Sequence, residues 1–155
     1  YGVIEPGARR AIEVTRSGRI AVLGTKGTIN SGAYERAIKR LDPQMEVISI
    51  PCPLLVPLVE EGFLNHPASR LILKEYLSRL QNQGVDTLVL GCTHYPLLRD
   101  SIAEEVGEEI IIVDSASTCA EEVAQEPAMW SCSGFGHVAF FVSDDPHKFK
   151  SMGEK

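Results

Sequence analysis

A thiol, a hydroxyl and an imidazole stand in a row at Cys92, Thr93 and His94. The apolar run 86–90 (DTLVL) leads into them and Gly91 closes it, the pattern of a buried strand that ends in a turn. Pro96 follows, and Leu97, Leu98, Ile102 and Val106 keep helical spacing. The reactive trio therefore sits where a strand hands over to a helix, the edge of an open parallel sheet at which ligands bind. A helix N-terminus at that point is expected to lower the pKa of the Cys92 thiol and favour the thiolate. The competing reading is a small buried cysteine that only packs. Two further stretches carry chemistry. Thr25-Lys26-Gly27-Thr28 follows the apolar run 19–24 (RIAVLG) and has the make-up of an anion cradle, with backbone N–H groups and two hydroxyls. Plain helix capping, with Asn30 or Ser31 as N-cap, explains the same residues. Glu60 and Glu61 end the run 54–61 (LLVPLVEE), where the simple reading is a solvated helix end.

The elements that position these residues alternate. Candidate strands at 19–24, 46–50, 86–90 and 109–113 are each followed by a helical pattern, at 31–41, 68–83, 97–106 and 118–125. A short helix at 8–16 precedes them, after a Glu5-Pro6-Gly7 turn signal. Strand–helix alternation of this kind predicts an α/β fold, a doubly wound parallel four-stranded sheet flanked by helices. After Gln125 the character changes: 126–136 reads as a loop, 137–142 (HVAFFV) as one more strand, and Asp144-Asp145-Pro146 as the cap of a short helix.

Composition narrows the function class. The 155 residues carry a formal net charge of −6, with 44% hydrophobic and 23% charged residues, as in an ordinary soluble globular protein. Acidity argues against a nucleic-acid surface, and no apolar run approaches a membrane span. Cys52, Cys92, Cys119 and Cys132 form no C-x-x-C pair, and His66, His94, His137 and His147 no H-x-x-x-H spacing, so no metal site is expected. Free thiols in a reducing cytosol are the expectation. Cys52, between two prolines, reads as packing; Trp130, Cys132, His137 and His147 have no neighbours that suggest catalysis. The chain begins at Tyr1 in a segment that reads as already under way, and an upstream part is expected.

Together these residues resemble a family. Gly91-Cys92-Thr93-His94-Tyr95-Pro96-Leu97 resembles the signature around the second catalytic cysteine of glutamate racemases. Gly2-Val3-Ile4-Glu5-Pro6-Gly7-Ala8 is similar to the start of that family's second domain, and Gly24-Thr25-Lys26-Gly27-Thr28-Ile29 to its substrate-binding threonine turn. The stretch from Cys52 to Glu60 resembles the one that carries a functional glutamate. The likeness runs from about Gly2 to Asp114, with weaker support from Val138 to Gly153.

The resemblance implies a cofactor-independent amino-acid racemase made of two pseudo-symmetric α/β halves. Residues 1–114 would be the second domain, and 115–155 a C-terminal segment that packs on a missing first domain. It implies Cys92 as one of two opposed cysteines, with His94 and Glu60 as its catalytic partners and Thr25, Thr28 and Thr93 as substrate-binding residues. Glu60 would pair with His94 and raise its pKa. His94 favours glutamate over aspartate, because the aspartate-type branch usually carries a glutamate there. No cofactor is implied; the setting is a cytoplasmic enzyme, often dimeric, that supplies D-glutamate for peptidoglycan. Because the second cysteine lies in the other half, the isolated chain is expected to be inactive. Three alternatives stay open: a racemase of another amino acid in the same superfamily, a non-catalytic glutamate-binding fragment, and a cysteine hydrolase using Cys92 and His94. The hydrolase is disfavoured, since nucleophile and base two residues apart rarely reach attack geometry.

Overall fold

The four apolar runs form four parallel strands: β1 Arg19–Gly24, β2 Glu46–Pro51, β3 Thr87–Leu90 and β4 Ile111–Asp114. In this computed structural model the described residues are 1–126, 139–142 and 145–153, without the side chains of Lys148 and Met152. The strand order is β2-β1-β3-β4, with Leu23 of β1 facing Ile50 of β2 and Leu90 of β3, and Leu90 facing Asp114 of β4. The order reverses between β1 and β3. That is the switch point at which doubly wound sheets open a crevice for ligands.

Burial explains why the strands read as continuous apolar runs. Ile20, Val22 and Val89 join one core cluster with Ala8, Ala11, Tyr34, Ala37, Ile38 and Val113. The alternate residues Ala21, Leu23, Leu88 and Leu90 are buried as well, so both faces of the sheet are covered. At the edge, β2 exposes Glu46 and Ser49.

Helices α1 (Ile4–Val14), α2 (Lys26–Ser31), α3 (Ala33–Leu41), α4 (Leu55–Glu60), α5 (Pro67–Leu77), α6 (Arg99–Val106) and α7 (Ser115–Ala124) connect or flank the strands. Several boundaries differ from the sequence reading, each for a local reason. Glu5-Pro6-Gly7 is the first turn of α1 rather than a turn before it, since a proline there gives up an N–H that has no partner. Gly7 is needed where α1 meets α7: a Cβ on it would lie 2.4 Å from Ser115 Oγ. The helix expected at 31–41 is α3, beginning at Ala33; the residues before it, read as a turn, form the separate short helix α2, which Gly32 at φ 61° ends. After Cys92 the chain makes a 3-10 turn, Tyr95–Leu98, before α6 begins.

Asp86 ties the α1–β1 loop to β3. Its carboxylate accepts from Thr15 Oγ1 (2.6 Å), Arg16 N (2.7 Å), Ser17 N (2.6 Å) and Thr87 Oγ1 (2.9 Å). Burial opposes the charge, but these bonds outweigh it and hold the group down to about 2.

The chain divides into two compact units, Tyr1–Gln125 and Glu126–Lys155. Helix α7, placed in the C-terminal segment by the sequence reading, belongs to the first unit and packs on α1, where Arg9 and Glu122 pair at 2.5 Å. In the second unit, Pro146–Gly153 forms helix α8, and the rings of Phe140 and Phe149 meet at 6.3 Å. Residues 139–142 are irregular rather than the strand expected over 137–142; His137 and Val138 lie outside the described residues, as do Trp130 and Cys132.

Candidate active site

Cys92, Thr93 and His94 leave the C-terminal end of β3, and Glu60 is the last residue of α4. The fold joins them. His94 Nε2 stands 3.5 Å from Glu60 Oε1, while its Nδ1 lies 4.0 Å from Cys92 Sγ and 3.5 Å from Thr93 Oγ1. One ring nitrogen thus lies within ion-pair distance of a carboxylate, and the other faces the thiol and the Thr93 hydroxyl, as donor or acceptor according to the tautomer.

A buried tyrosine anchors this turn. Tyr95 is fully buried, and its hydroxyl donates to Cys52 O at 2.9 Å. Cys52 N in turn donates to Gly24 O at 2.8 Å. Tyr95 therefore binds the Cys92 turn to the β2–α4 connection, which leads into the helix that ends at Glu60. Cys52 itself packs, as the sequence reading has it: it is fully buried and its thiol is pushed up to about 12 by burial.

The Cys92 thiol is also raised from its ordinary value. Burial is the main cause, and the backbone N–H groups of His94 and Tyr95 oppose it. The sequence reading expected a lowered thiol from a helix N-terminus. The structure supplies only a 3-10 turn there, with too few aligned amides to overcome desolvation. A raised thiol rests protonated, and its thiolate, once formed, is the stronger base.

Thr25 and Thr28 cluster one strand away. Thr25 is the N-cap of α2: its Oγ1 accepts from Thr28 N at 3.1 Å and lies 3.0 Å from Thr28 Oγ1. The helix expected to be capped by Asn30 or Ser31 is α3, whose N-cap position is Gly32; Ser31 Oγ donates to Thr28 O at 2.6 Å and accepts from Ala33 N at 3.3 Å. The threonines touch each other rather than Cys92. The sheet relates the two clusters, since Gly91 N donates to Leu23 O at 2.8 Å. Glycine is required at that contact: a Cβ on Gly91 would lie 2.9 Å from Leu23 O and 3.0 Å from Tyr34 Cε2.

Residues 1–123 match the model of the Asp/Glu/Hydantoin racemase family. The chain belongs to that family. It is 52% identical to a glutamate racemase of Geobacter metallireducens over 99% of its length, and 47% identical to one of Neisseria meningitidis, again over 99%. The crystal structure of a Francisella tularensis glutamate racemase in complex with D-glutamate superposes with a TM-score of 0.84 at 35% identity, over 98% of this chain. The chain spans 58% of the Geobacter and Neisseria relatives and 57% of the Francisella chain.

Two residues of this racemase-family chain escaped the sequence reading, although they line the same place. Tyr34, on α3, donates its buried hydroxyl to Ser115 Oγ at 3.0 Å. Both border a cavity of about 40 Å³ beside Cys92. Tyr34 reads in sequence as one apolar face position and Ser115 as cap chemistry, and 81 positions separate them. Among the described residues no group of three or more His, Cys, Asp or Glu side chains is gathered as a metal site.

Proposed function

We propose that this chain is the half of a glutamate racemase that carries one of its two proton-transfer cysteines, Cys92. The observation that supports this best is His94, flanked by Glu60 on Nε2 and by Cys92 on Nδ1. Inverting an α-carbon means breaking one Cα–H bond and making another on the opposite face. The proton is a very weak acid, so without a cofactor the base must be strong, close and dry. A half-buried thiolate with a raised proton affinity meets that need. In one direction the Cys92 thiolate takes the α-proton and its electron pair stays on carbon, while a second thiol returns a proton to the other face. In the reverse direction the two exchange roles.

His94 sets the protonation of Cys92 between turnovers, and Glu60 holds the imidazole in place. Thr25, Thr28 and Thr93 receive the substrate's carboxylates and amino group at the sheet edge, which stabilises charge that grows as the proton leaves. Cys52 is too deeply buried to be the second base, and Cys119 sits one turn down α7 from Ser115. We assign the second thiol to another half of the protein, against which 115–155 would pack. The reading includes a homodimeric, cytoplasmic enzyme that supplies D-glutamate for peptidoglycan.

The test is α-proton exchange of D- and L-glutamate in D2O, followed by NMR and circular dichroism. The 155-residue chain alone gives no turnover. Fused to the part of the Geobacter metallireducens relative that it does not span, it racemises glutamate, and Cys92→Ala stops both directions. Near-full activity of the Cys92→Ala fusion refutes the assignment, and turnover by the chain alone refutes the need for a second half. Conversion of aspartate in preference to glutamate would move the substrate to the other branch of the family.

A further inference from the structure

We infer that Tyr34 and Ser115 are positioning residues for Cys92: the Tyr34 hydroxyl fixes the Ser115 hydroxyl so that its proton is turned toward the sulfur across the small cavity they share. The inference rests on the racemase reading for its purpose, but its geometry does not. Tyr34 donates to Ser115 Oγ at 3.0 Å. A serine hydroxyl that accepts still has its own proton to give. Next to it lies the cavity of about 40 Å³, whose lining also includes Gly91, Cys92 and Thr93. That volume holds about one water, so the proton reaches sulfur directly or through a single bridge.

The surroundings make this pairing rigid. Tyr34 is 4% exposed and Ser115 2%. The Tyr34 ring passes within 3.0 Å of where a Gly91 Cβ would stand, so it also backs the turn that carries the thiol. Gly7 of α1 closely approaches the Ser115 side chain, nearest to its hydroxyl oxygen. Burial keeps Tyr34 protonated and therefore a donor, against the pull of the bond to Ser115. Among the described residues, Cys92 is faced by the backbone N–H groups of His94 and Tyr95, the His94 ring with Glu60 of α4 behind it, and Tyr34 of α3, which itself feels Asp114 at the end of β4. Ser115 adds a neutral donor to these groups, able to steady a thiolate without bringing a charge.

A thiolate that loses a donor becomes harder to form. The experiment measures the alkylation rate of Cys92 by iodoacetamide against pH in the 155-residue chain, mapped to the residue by mass spectrometry. Ser115→Ala moves the midpoint of the rate profile upward by roughly 0.5–1 pH unit. Tyr34→Phe keeps the ring on Gly91 and frees the serine, and moves the midpoint in the same direction by less. Thermal melts show whether either variant is destabilised, and each variant tests the inference independently. Unmoved midpoints in both overturn it, whatever the racemase assay shows. In the active fusion the same variants lower kcat by about ten-fold with KM for glutamate changed less than two-fold. Loss of activity in Cys92→Ala, with wild-type kcat and pH profile in both variants, would sink this inference and leave the proposed function standing.

Discussion

Removing the Tyr95 hydroxyl isolates the bond that ties the Cys92 turn to the loop before α4. Tyr95→Phe keeps the buried ring and deletes a donor 2.9 Å from Cys52 O. A buried acceptor left with nothing costs about 1–3 kcal/mol. Cys52 O is not left with nothing, because Leu55 N also donates to it, at 3.2 Å. The loss therefore falls at the lower end, about 1 kcal/mol. For a unit of this size that lowers Tm by roughly 3–5 °C. Burial raises the Tyr95 phenol, so it remains a donor throughout the ordinary pH range and the loss is independent of pH there. Urea unfolding of the 155-residue chain, followed by circular dichroism at pH 6 and pH 8, reads it directly. A change below about 0.3 kcal/mol shows that the bond contributes nothing; one above about 3 kcal/mol shows that Leu55 N does not support the carbonyl. Either result refutes the reasoning from a shared acceptor.

Gly91→Ala drives a methyl into Leu23 O and Tyr34, and because the nearest atom belongs to the backbone of β1, the turn must shift; a loss of about 1–3 kcal/mol in the same urea assay is expected, with slower alkylation of Cys92. Asp86 is held at about 2 against an ordinary 3.8, so its carboxylate contributes stability above about 3.8 that is lost as pH falls toward about 2. Asp86→Asn therefore destabilises the chain at pH 7 by about 1 kcal/mol, after discounting for its partly exposed position, and flattens the acid limb of a Tm-against-pH curve below pH 4. Iodoacetamide at pH 8 labels Cys92 before Cys52, whose thiol stands at about 12 and is fully buried; equal labelling of the folded chain contradicts the packing role of Cys52. In the active fusion, Glu60→Gln keeps the size of the side chain but takes the charge off His94 Nε2, and a ten- to hundred-fold fall in kcat is expected, with little effect on the melt.

Much of the sheet was legible because a strand buried on both faces has nowhere to place a polar residue. Runs such as Ala21–Val22–Leu23 and Leu88–Val89–Leu90 announce themselves. Boundaries were less so. Pro6 and Gly7 carry turn signals that the fold uses otherwise, the proline in a first helical turn and the glycine for close approach to Ser115. The trio at 92–94 and the threonine turn stood out by residue type and by place at strand ends. The contact of His94 with Glu60 followed only from the family resemblance, because Glu60 lies in the crossover from β2 to β3 and His94 in the one from β3 to β4. Tyr34 and Ser115 were invisible. Neither residue type is unusual at its local position, and what joins them is the packing of α3 and α7 on one face of the sheet. The state of the Cys92 thiol was misjudged for a related reason: burial is a property of the assembled turn, and the leucines and proline after it gave no sign that the first turn would be 3-10.

Because the Thr25 and Cys92 turns hang from adjoining central strands in fixed register, the sheet acts as a ruler for the distance between them. The connection at 107–110 lies off that ruler, between the end of α6 and β4. Lengthening it by a few residues, or splicing a tag into it, should leave the spacing between hydroxyls and sulfur untouched, so this is a place at which such a protein can be reshaped without retuning its chemistry.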